Sequence, residues 1–217
     1  GLSLFIVPKD SFEGHDFEYE QPSGGKLSGK ADATPGYRGM HSFTLALEDV
    51  WVPHDNLVGG DDGIDQGFYL QMGGFAAGRL QTGGRALGVA QAAMEKACQY
   101  VSQRNQFGQP VADFQLTQYR IGQMAARIAA GRQLTYMAAR TFDSRAVEPA
   151  MSKLLTSDIA VDVTQQAQQL HGGWGYSEED LISRLVVDAL VLPIFEGVKP
   201  VLTLRMIGRA LLASVAQ

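Results

Sequence analysis

The sequence has very little of what cross-links a protein or anchors it in a membrane. Its 217 residues include one cysteine, Cys98, which excludes an internal disulfide framework and a multi-cysteine metal cluster. The longest apolar run, residues 189–195, contains seven residues including a proline, whereas a membrane-spanning helix needs about 20 apolar residues. The first residues lack the basic and then apolar layout of a secretory signal peptide. We therefore expect neither disulfides nor a membrane span.

Basic charge is also scarce. Lysine and arginine together number 18 against 23 aspartates and glutamates, which gives a net charge of −5. Because nucleic-acid binding needs a basic surface, we expect no nucleic-acid partner. Hydrophobic residues make up 45% and charged residues 19%, which is typical of a globular protein and argues against disorder. The acidic excess lies in residues 1–63, with 4 basic and 11 acidic residues, whereas residues 64–217 hold 14 and 12.

Signatures of several common sites are missing or incomplete. None of the four histidines is paired with another four residues away or lies beside the cysteine, so we expect no metal site. The pattern Gly-x-Ser-x-Gly is absent, although a Ser-His-Asp triad assembled in space stays open. Residues 24–31 nearly spell a phosphate-binding loop, but Ala31 replaces the Ser or Thr that would hold Mg²⁺. We interpret that stretch as a mobile turn.

The hydrophobic pattern changes along the chain. Phe43, Leu45 and Leu47 alternate with other side chains, which predicts a half-buried strand. Later apolar residues recur at helical spacing and predict helices over residues 66–103, 113–143, 148–170, 178–190 and 198–214. We therefore predict a mainly α chain, with a partial antiparallel β-domain over residues 1–60 and a four-helix-type bundle over residues 61–217.

Three loops between these helices hold candidate functional residues. Arg104 with Phe107 and Gly108 suits a phosphate group, and an ordinary helix C-terminus ending at the glycine is equally favoured. The second loop, residues 171–177, has three glycines in four positions, which lets backbone N–H groups face a ligand; a plain helix terminus is the alternative. In the third, Glu196 places one carboxylate in an apolar run just before a helix. It is either a general base or a charge that favours the helix start.

The order and spacing of these loops resemble the acyl-CoA dehydrogenase family. The motifs are R-x-x-F-G from residue 104, Q-x-x-G-G-x-G-Y from residue 169 and I-F-E-G from residue 194. The resemblance covers essentially the whole chain and implies the later part of that family's β-domain followed by its C-terminal helical bundle. It also implies an FAD-dependent oxidoreductase of fatty or branched acyl metabolism. The resemblance further implies a location in the bacterial cytoplasm or, in a eukaryote, the mitochondrial matrix.

The resemblance implies a role for each motif. Glu196 matches the base that removes the α-proton of an acyl-CoA thioester while a hydride passes to FAD, and electrons then pass to an electron-transfer flavoprotein. Further residues are implied to contact the acyl-CoA substrate, namely Arg79, Phe195 and Gly197. Others are implied to contact FAD: Arg104, Phe107 and Gln115 at its pyrophosphate and adenine, and Gln169, Gly172 and Gly173 on the FAD of a neighbouring subunit. The last group implies a homodimer or homotetramer.

The sequence also departs from the family pattern. Val198 stands where relatives commonly have a threonine, and Val187 and Leu190 replace arginines. Some relatives carry the base just before the arginine matched by Arg79, where this chain has Gly78. Residues 26–40 faintly resemble the methylsuccinyl-CoA dehydrogenase branch, in which case a second substrate carboxylate would meet Arg38 or Lys199.

The family's N-terminal helical domain and the first half of its β-domain have no counterpart here. We therefore expect a fragment that neither holds FAD tightly nor turns over by itself. Two alternatives are an acyl-CoA oxidase or flavin monooxygenase of the same fold, and a non-catalytic helical assembly module. The glutamate at position 196 argues against the monooxygenase, and Arg104 with Glu196 argues against the assembly module.

Overall fold

The computed structural model describes residues 1–143 and 147–215. The chain forms two compact units, Gly1–Gly73 and Gly74–Gln217. The first is mainly strands and turns and the second mainly helices, as predicted. The assignment of domains to residues 1–60 and 61–217 stays a prediction.

The first unit contains a three-stranded antiparallel sheet. Its strands are β1 Asp16–Glu20, β2 Lys26–Ala31 and β3 Phe43–Glu48, in that spatial order. Gly29 faces Phe17 across the β1–β2 pair, and a Cβ at this glycine would collide with the phenyl ring. Phe17 therefore packs directly against backbone. Two short 3-10 helices follow the sheet, His54–Asn56 and Gly60–Gly63.

Two expectations for this unit are wrong. Residues 26–31 form the central strand β2 and not a mobile turn, which also removes the strand–loop–helix context of a phosphate-binding loop. Its buried residues are Leu27 and Gly29, and a glycine is a weak signal of strand alternation. Every residue of β3 after Phe43 is exposed, including Leu45 and Leu47, so this strand is not half-buried.

Helices make up most of the second unit. The α-helices of the described residues are α1 Gly67–Gln103, which begins within the first unit, α2 Gln115–Arg140, α3 Glu148–Leu170, α4 Leu181–Ala189, α5 Lys199–Val201 and α6 Arg209–Val215. The π-helical turn Leu202–Gly208 joins the last two. A two-stranded ribbon, β4 Asn105–Gln106 and β5 Gln109–Pro110, follows α1. Two 3-10 helices, Val111–Asp113 and Gly172–Tyr176, precede α2 and follow α3.

The first four predicted helices are confirmed, with shorter ends in two cases. The fifth, over residues 198–214, is interrupted by the π-helical turn Leu202–Gly208. α2 begins at Gln115 because the backbone of Phe114 is extended. α4 begins at Leu181 because the Asp180 side chain accepts a hydrogen bond from the Ile182 N–H and caps the helix. None of the helices within the described residues is long and apolar enough to cross a bilayer.

The core of the second unit lies where α1–α4 meet. Small residues on α1 face larger side chains on the other helices, so the helices approach closely. The buried cluster consists of Leu87, Ala90, Ala93, Ala97, Met124, Ile128, Ile159, Val163, Ala167 and Ile182. A smaller cluster of Ala86, Ala160, Ala189 and Leu192 lies beneath the loop that follows α4. The bundle therefore gives that loop a rigid base.

Candidate active site

The loop between α4 and α5 carries Glu196 in a strained conformation. Its φ angle is 57°, and that of the next residue, Gly197, is 108°. A left-handed backbone is accessible to glycine but costs a residue with a side chain about 1–2 kcal/mol. Such strain persists only where the surroundings fix it, and it is common at functional sites.

One oxygen of the Glu196 carboxylate makes no hydrogen bond to the described residues. Oε2 is buried and has no hydrogen-bond partner among the described residues. It points at Gly78 on α1, where a Cβ would lie 2.7 Å from Oε2 and 2.9 Å from Cδ. The missing side chain at Gly78 therefore makes the room that the carboxylate occupies, and Oε2 keeps its lone pairs available to accept a proton.

A buried arginine contacts the same residue from α1. Arg79 is 4% exposed, and its Nε donates to the Glu196 carbonyl at 3.3 Å. Burial lowers the pKa of the Arg79 guanidinium, and the negative charge of Glu196 opposes that effect. The structure thus brings Arg79 and Glu196 together, and contact of Arg79 with a substrate stays a prediction.

Two predicted substrate residues flank the glutamate. Phe195 is partly buried and packs against the small core cluster beneath the loop. A Cβ at Gly197 would meet Leu202 at 2.9 Å, so this residue lets the loop pass close to the π-helical turn. Both lie next to the carboxylate, and their contact with a substrate stays a prediction.

Sequence reasoning missed the charged residue beneath this loop. Lys153 on α3 is 1% exposed, and its Nζ donates to the carbonyls of Pro193 at 3.0 Å and Gly197 at 2.8 Å. Burial and the neighbouring Arg79 lower the pKa of Lys153 to about 8, while Glu196 and Asp158 act in the opposite direction. One signal was present: the lysine interrupts a row of small and apolar residues at helical spacing.

A separate cavity holds most of the predicted cofactor residues. It has a volume of about 630 Å³ and lies where α1 ends and α3 meets the following 3-10 helix. Its lining includes Arg104, Gln169, Gly172 and Gly173, four of the six residues that the sequence predicts for FAD. The other two, Phe107 and Gln115, do not line it; Phe107 is 94% exposed and Gln115 is exposed at the first position of α2.

The floor of this cavity includes a histidine that sequence reasoning did not assign. His171 is 2% exposed, its ring stacks on Tyr100 with 4.5 Å between centroids, and its Nδ1 lies 2.7 Å from the Ala167 carbonyl. The carbonyl can only accept, so Nδ1 carries a hydrogen. Within the residues that the structure describes, no three His, Cys, Asp or Glu side chains are grouped to hold a metal ion.

The bundle and its loops define a helical domain with a candidate acid–base site and a separate ligand-sized cavity. A family model described as "Acyl-CoA dehydrogenase, C-terminal domain" matches residues 65–212. The chain therefore belongs to the acyl-CoA dehydrogenase family.

Two curated proteins illustrate the similarity. The chain is 38% identical to (2S)-methylsuccinyl-CoA dehydrogenase of Cereibacter sphaeroides over 200 residues. The matched region covers 91% of this chain and 35% of that protein. It is 33% identical to the caffeyl-CoA reductase–Etf complex subunit CarC of Acetobacterium woodii over 204 residues. The matched region covers 93% of this chain and 50% of that protein. The chain spans about half the length, or less, of the curated relatives it matches.

Solved structures give the same result. Butyryl-CoA dehydrogenase from Megasphaera elsdenii superposes with a TM-score of 0.79 at 33% identity, over 91% of this chain and 55% of that one. An acyl-CoA dehydrogenase from Bacillus anthracis, solved in complex with FAD, superposes with a TM-score of 0.80 at 28% identity, over 88% of this chain and 36% of that one.

Proposed function

We propose that this chain supplies the catalytic base and part of the FAD site of an enzyme that dehydrogenates acyl-CoA thioesters between the α- and β-carbons. The observation that carries the proposal is the Glu196 carboxylate. It is buried on one side and without a hydrogen-bond partner at Oε2 among the described residues, and it points into space left by Gly78. A general base needs this combination of an available lone pair and a fixed position.

In the proposed reaction, Glu196 takes the α-proton of the acyl-CoA thioester onto Oε2. The proton is weakly acidic, because the negative charge left behind spreads onto the thioester oxygen. A donor aimed at that oxygen stabilises the charge, and we assign this role to the backbone N–H of Glu196. Arg79 adds a positive charge beside the loop and holds the Glu196 carbonyl, which fixes the peptide unit between residues 196 and 197.

The cavity at the end of α1 fits part of FAD. Arg104 offers a planar guanidinium, which matches a phosphate through two parallel hydrogen bonds. The φ of Gly172 is 61°, and a Cβ at Gly172 or Gly173 would meet nothing within 4 Å, so a ligand can approach this backbone closely. FAD, when bound, supplies the acceptor for the hydride that leaves the β-carbon. Phe107 and Gln115 stay proposed as contacts outside the cavity.

The proposed partners follow from family membership. We propose the acyl-CoA thioester as substrate, a homodimer or homotetramer in which Gln169, Gly172 and Gly173 approach a neighbour's FAD, and an electron-transfer flavoprotein as redox partner. The relative from Acetobacterium woodii, named as a subunit of an Etf complex, supports the last of these. Lys199, a candidate for a second substrate carboxylate, pairs with Asp158 at 2.7 Å, so such a substrate would have to displace that partner.

Substituting Glu196→Gln in the full-length FAD-loaded protein tests the proposal. Glutamine keeps the size of the side chain but does not accept the proton, so bleaching of the flavin band by acyl-CoA should slow by about 100- to 10,000-fold. FAD content should stay at the wild-type level, because the substitution leaves the cavity intact. The measurement is anaerobic stopped-flow absorbance after mixing with acyl-CoA.

Glu95→Gln is the matched control. Glu95 lies on α1 and accepts a hydrogen bond from Gln91 at 2.7 Å, so its loss removes a surface carboxylate and leaves the loop unchanged. Wild-type bleaching by the Glu196→Gln variant would refute the assigned role. Loss of bleaching in both variants would point to a general effect of charge removal.

A further inference from the structure

The loop that carries Glu196 is bound from below by the ammonium of Lys153. The Lys153 side chain is the largest of the fully buried side chains among the described residues. Its Nζ donates to the carbonyls of Pro193 and Gly197, which lie on either side of residues 194–196. We propose that Lys153 is a positioning residue: it fixes the Glu196 carboxylate by holding the backbone on both sides of it. The proposal rests on the proposed role of Glu196 as base.

A base with an available oxygen needs support from elsewhere. Hydrogen bonds to Oε2 would fix the carboxylate but would also occupy the lone pairs that must take the proton. Because Oε2 has no such partner among the described residues, its position is set by the backbone at residues 196 and 197. That backbone is left-handed at both positions, and strain of this kind relaxes unless neighbouring groups oppose it.

Side chains from two helices hold the loop carbonyls. From α3, Lys153 holds those of residues 193 and 197, and Ser157 Oγ donates to the Leu192 carbonyl at 3.1 Å. From α1, Arg79 holds the carbonyl of Glu196 itself. Lys153 and Ser157 are four residues apart and lie on one face of α3. The rigid core thus extends directly to the strained turn.

The charge of Lys153 strengthens this support. A charged donor makes hydrogen bonds roughly twice as strong as a neutral one. The charged groups that act on Lys153 are Arg79 from α1, Glu196 from the loop and Asp158 from α3. Lys199 from α5 lines the same small pocket and pairs with Asp158. Burial and Arg79 lower its pKa to about 8, so the ammonium is charged below that pH and becomes neutral above it. The hold on the loop therefore weakens as the pH rises through about 8.

Lys153→Met in the full-length FAD-loaded protein tests the proposal. Methionine fills much of the same volume but donates no hydrogen bond, so the carboxylate shifts relative to the substrate. The limiting rate of flavin bleaching at saturating acyl-CoA should fall by about 100-fold, the effect of a displacement of roughly 1 Å. The acyl-CoA dissociation constant should change by less than about threefold, because uniform binding is retained. Far-UV circular dichroism and FAD content report the fold.

Two features separate positioning from a general structural role. The wild-type rate should fall as the pH rises through about 8, and the Lys153→Met variant should lack that step. Lys96→Met is the control, because Lys96 is partly buried but pairs with Asp180 at 3.7 Å and not with the loop. It should keep both the wild-type rate and the pH step.

Ser157→Ala keeps the test decisive if Lys153→Met does not fold. It removes one neutral hydrogen bond to the loop and should slow bleaching by about 3- to 10-fold, with the alkaline step retained. A folded Lys153→Met variant with the wild-type rate, or one that keeps the pH step, would overturn the proposal. The proposal would also be overturned if Ser157→Ala bleached at the wild-type rate and the wild-type protein itself showed no fall in rate as the pH rises through about 8.

The Glu196→Gln result keeps the two proposals apart. Retained bleaching in that variant would remove Glu196 as the base and with it the reason for positioning. Lost bleaching in Glu196→Gln together with wild-type behaviour in Lys153→Met would remove the role of Lys153 alone.

Discussion

Single side chains, and one missing side chain, decide the geometry around Glu196. Gly78 leaves the space, Arg79 and Lys153 hold the backbone, and the carboxylate fills what remains. A Cβ at Gly78 would collide with the far end of a flexible side chain and not with backbone. Moving the carboxylate relieves such a collision, so we expect the stability of the fold to be retained and the rate of proton abstraction to fall.

Gly78→Ala should therefore separate activity from stability. We expect the full-length FAD-loaded protein to bleach its flavin about 10- to 100-fold more slowly with acyl-CoA, because the base is displaced. Its melting temperature should not fall, since alanine is the better helix former. Gly84→Ala on the same helix is the control, because a Cβ there meets nothing within 4 Å. Equal rates in the two variants would contradict a steric role for Gly78.

Sequence motifs located some residues of the two candidate sites and missed others. Arg104, Gln169, Gly172 and Gly173 belong to motifs at helix ends, and the structure brings them to one cavity. Lys153 was not predicted, because a lysine in a helix usually extends into solvent and its burial depends on the loop that covers it. The left-handed turn at Glu196 was not predicted either, because local sequence favours such a φ only for glycine and asparagine.

Elements meet closely where side chains are small. Gly131 on α2 faces α3 and α1, and a Cβ there would lie 2.9 Å from Ile159 and 3.3 Å from Leu87. These neighbours are buried methyl groups in the main core. Helix positions and types were readily predicted, because long apolar periodicity dominates them, whereas the π-helical turn at Leu202–Gly208 depends on packing and leaves no periodic signal.

Gly131→Ala should destabilise the bundle. The added methyl group overpacks the core, which typically costs 1–3 kcal/mol, while better helix propensity returns about 1 kcal/mol. We expect a net loss of about 1 kcal/mol in the free energy of unfolding, measured by urea denaturation of the chain. Gly122→Ala lies on the same helix at an exposed position with nothing within 4 Å, and should instead gain about 0.5–1 kcal/mol. The same sign in both would contradict close packing at Gly131.

The molecule as a whole distributes its buried surface unevenly. Within residues 1–73, all of which the structure describes, the buried apolar side chains are Leu27 and Leu57, whereas the second unit holds both core clusters. A short sheet with so little buried surface is marginal by itself. Composition and pattern predicted two regions of different class, but the depth of each core depends on packing and was not predicted.

Hydrogen exchange of the isolated chain should show this difference. Backbone amides of β1–β3 should exchange at least about 100-fold faster than buried amides of α2 and α3, because local opening is easiest where few apolar contacts must break. Mass spectrometry of peptides covering residues 16–48, 124–138 and 150–167 makes the measurement. Equal protection in the three regions would show that the sheet is stabilised far beyond what its own buried side chains provide.

The glutamate at position 196 makes the folded chain less stable than a glycine there would, so selection for thermal stability alone would replace it. Its left-handed backbone costs about 1 kcal/mol relative to glycine, and a glycine would also remove a buried oxygen that has no hydrogen-bond partner among the described residues. Stabilising changes at such positions commonly reduce function. A library screened only for survival of heating would therefore enrich Glu196→Gly. Directed evolution of this chain needs a second screen for turnover, because folding by itself gives no reason to keep a glutamate there.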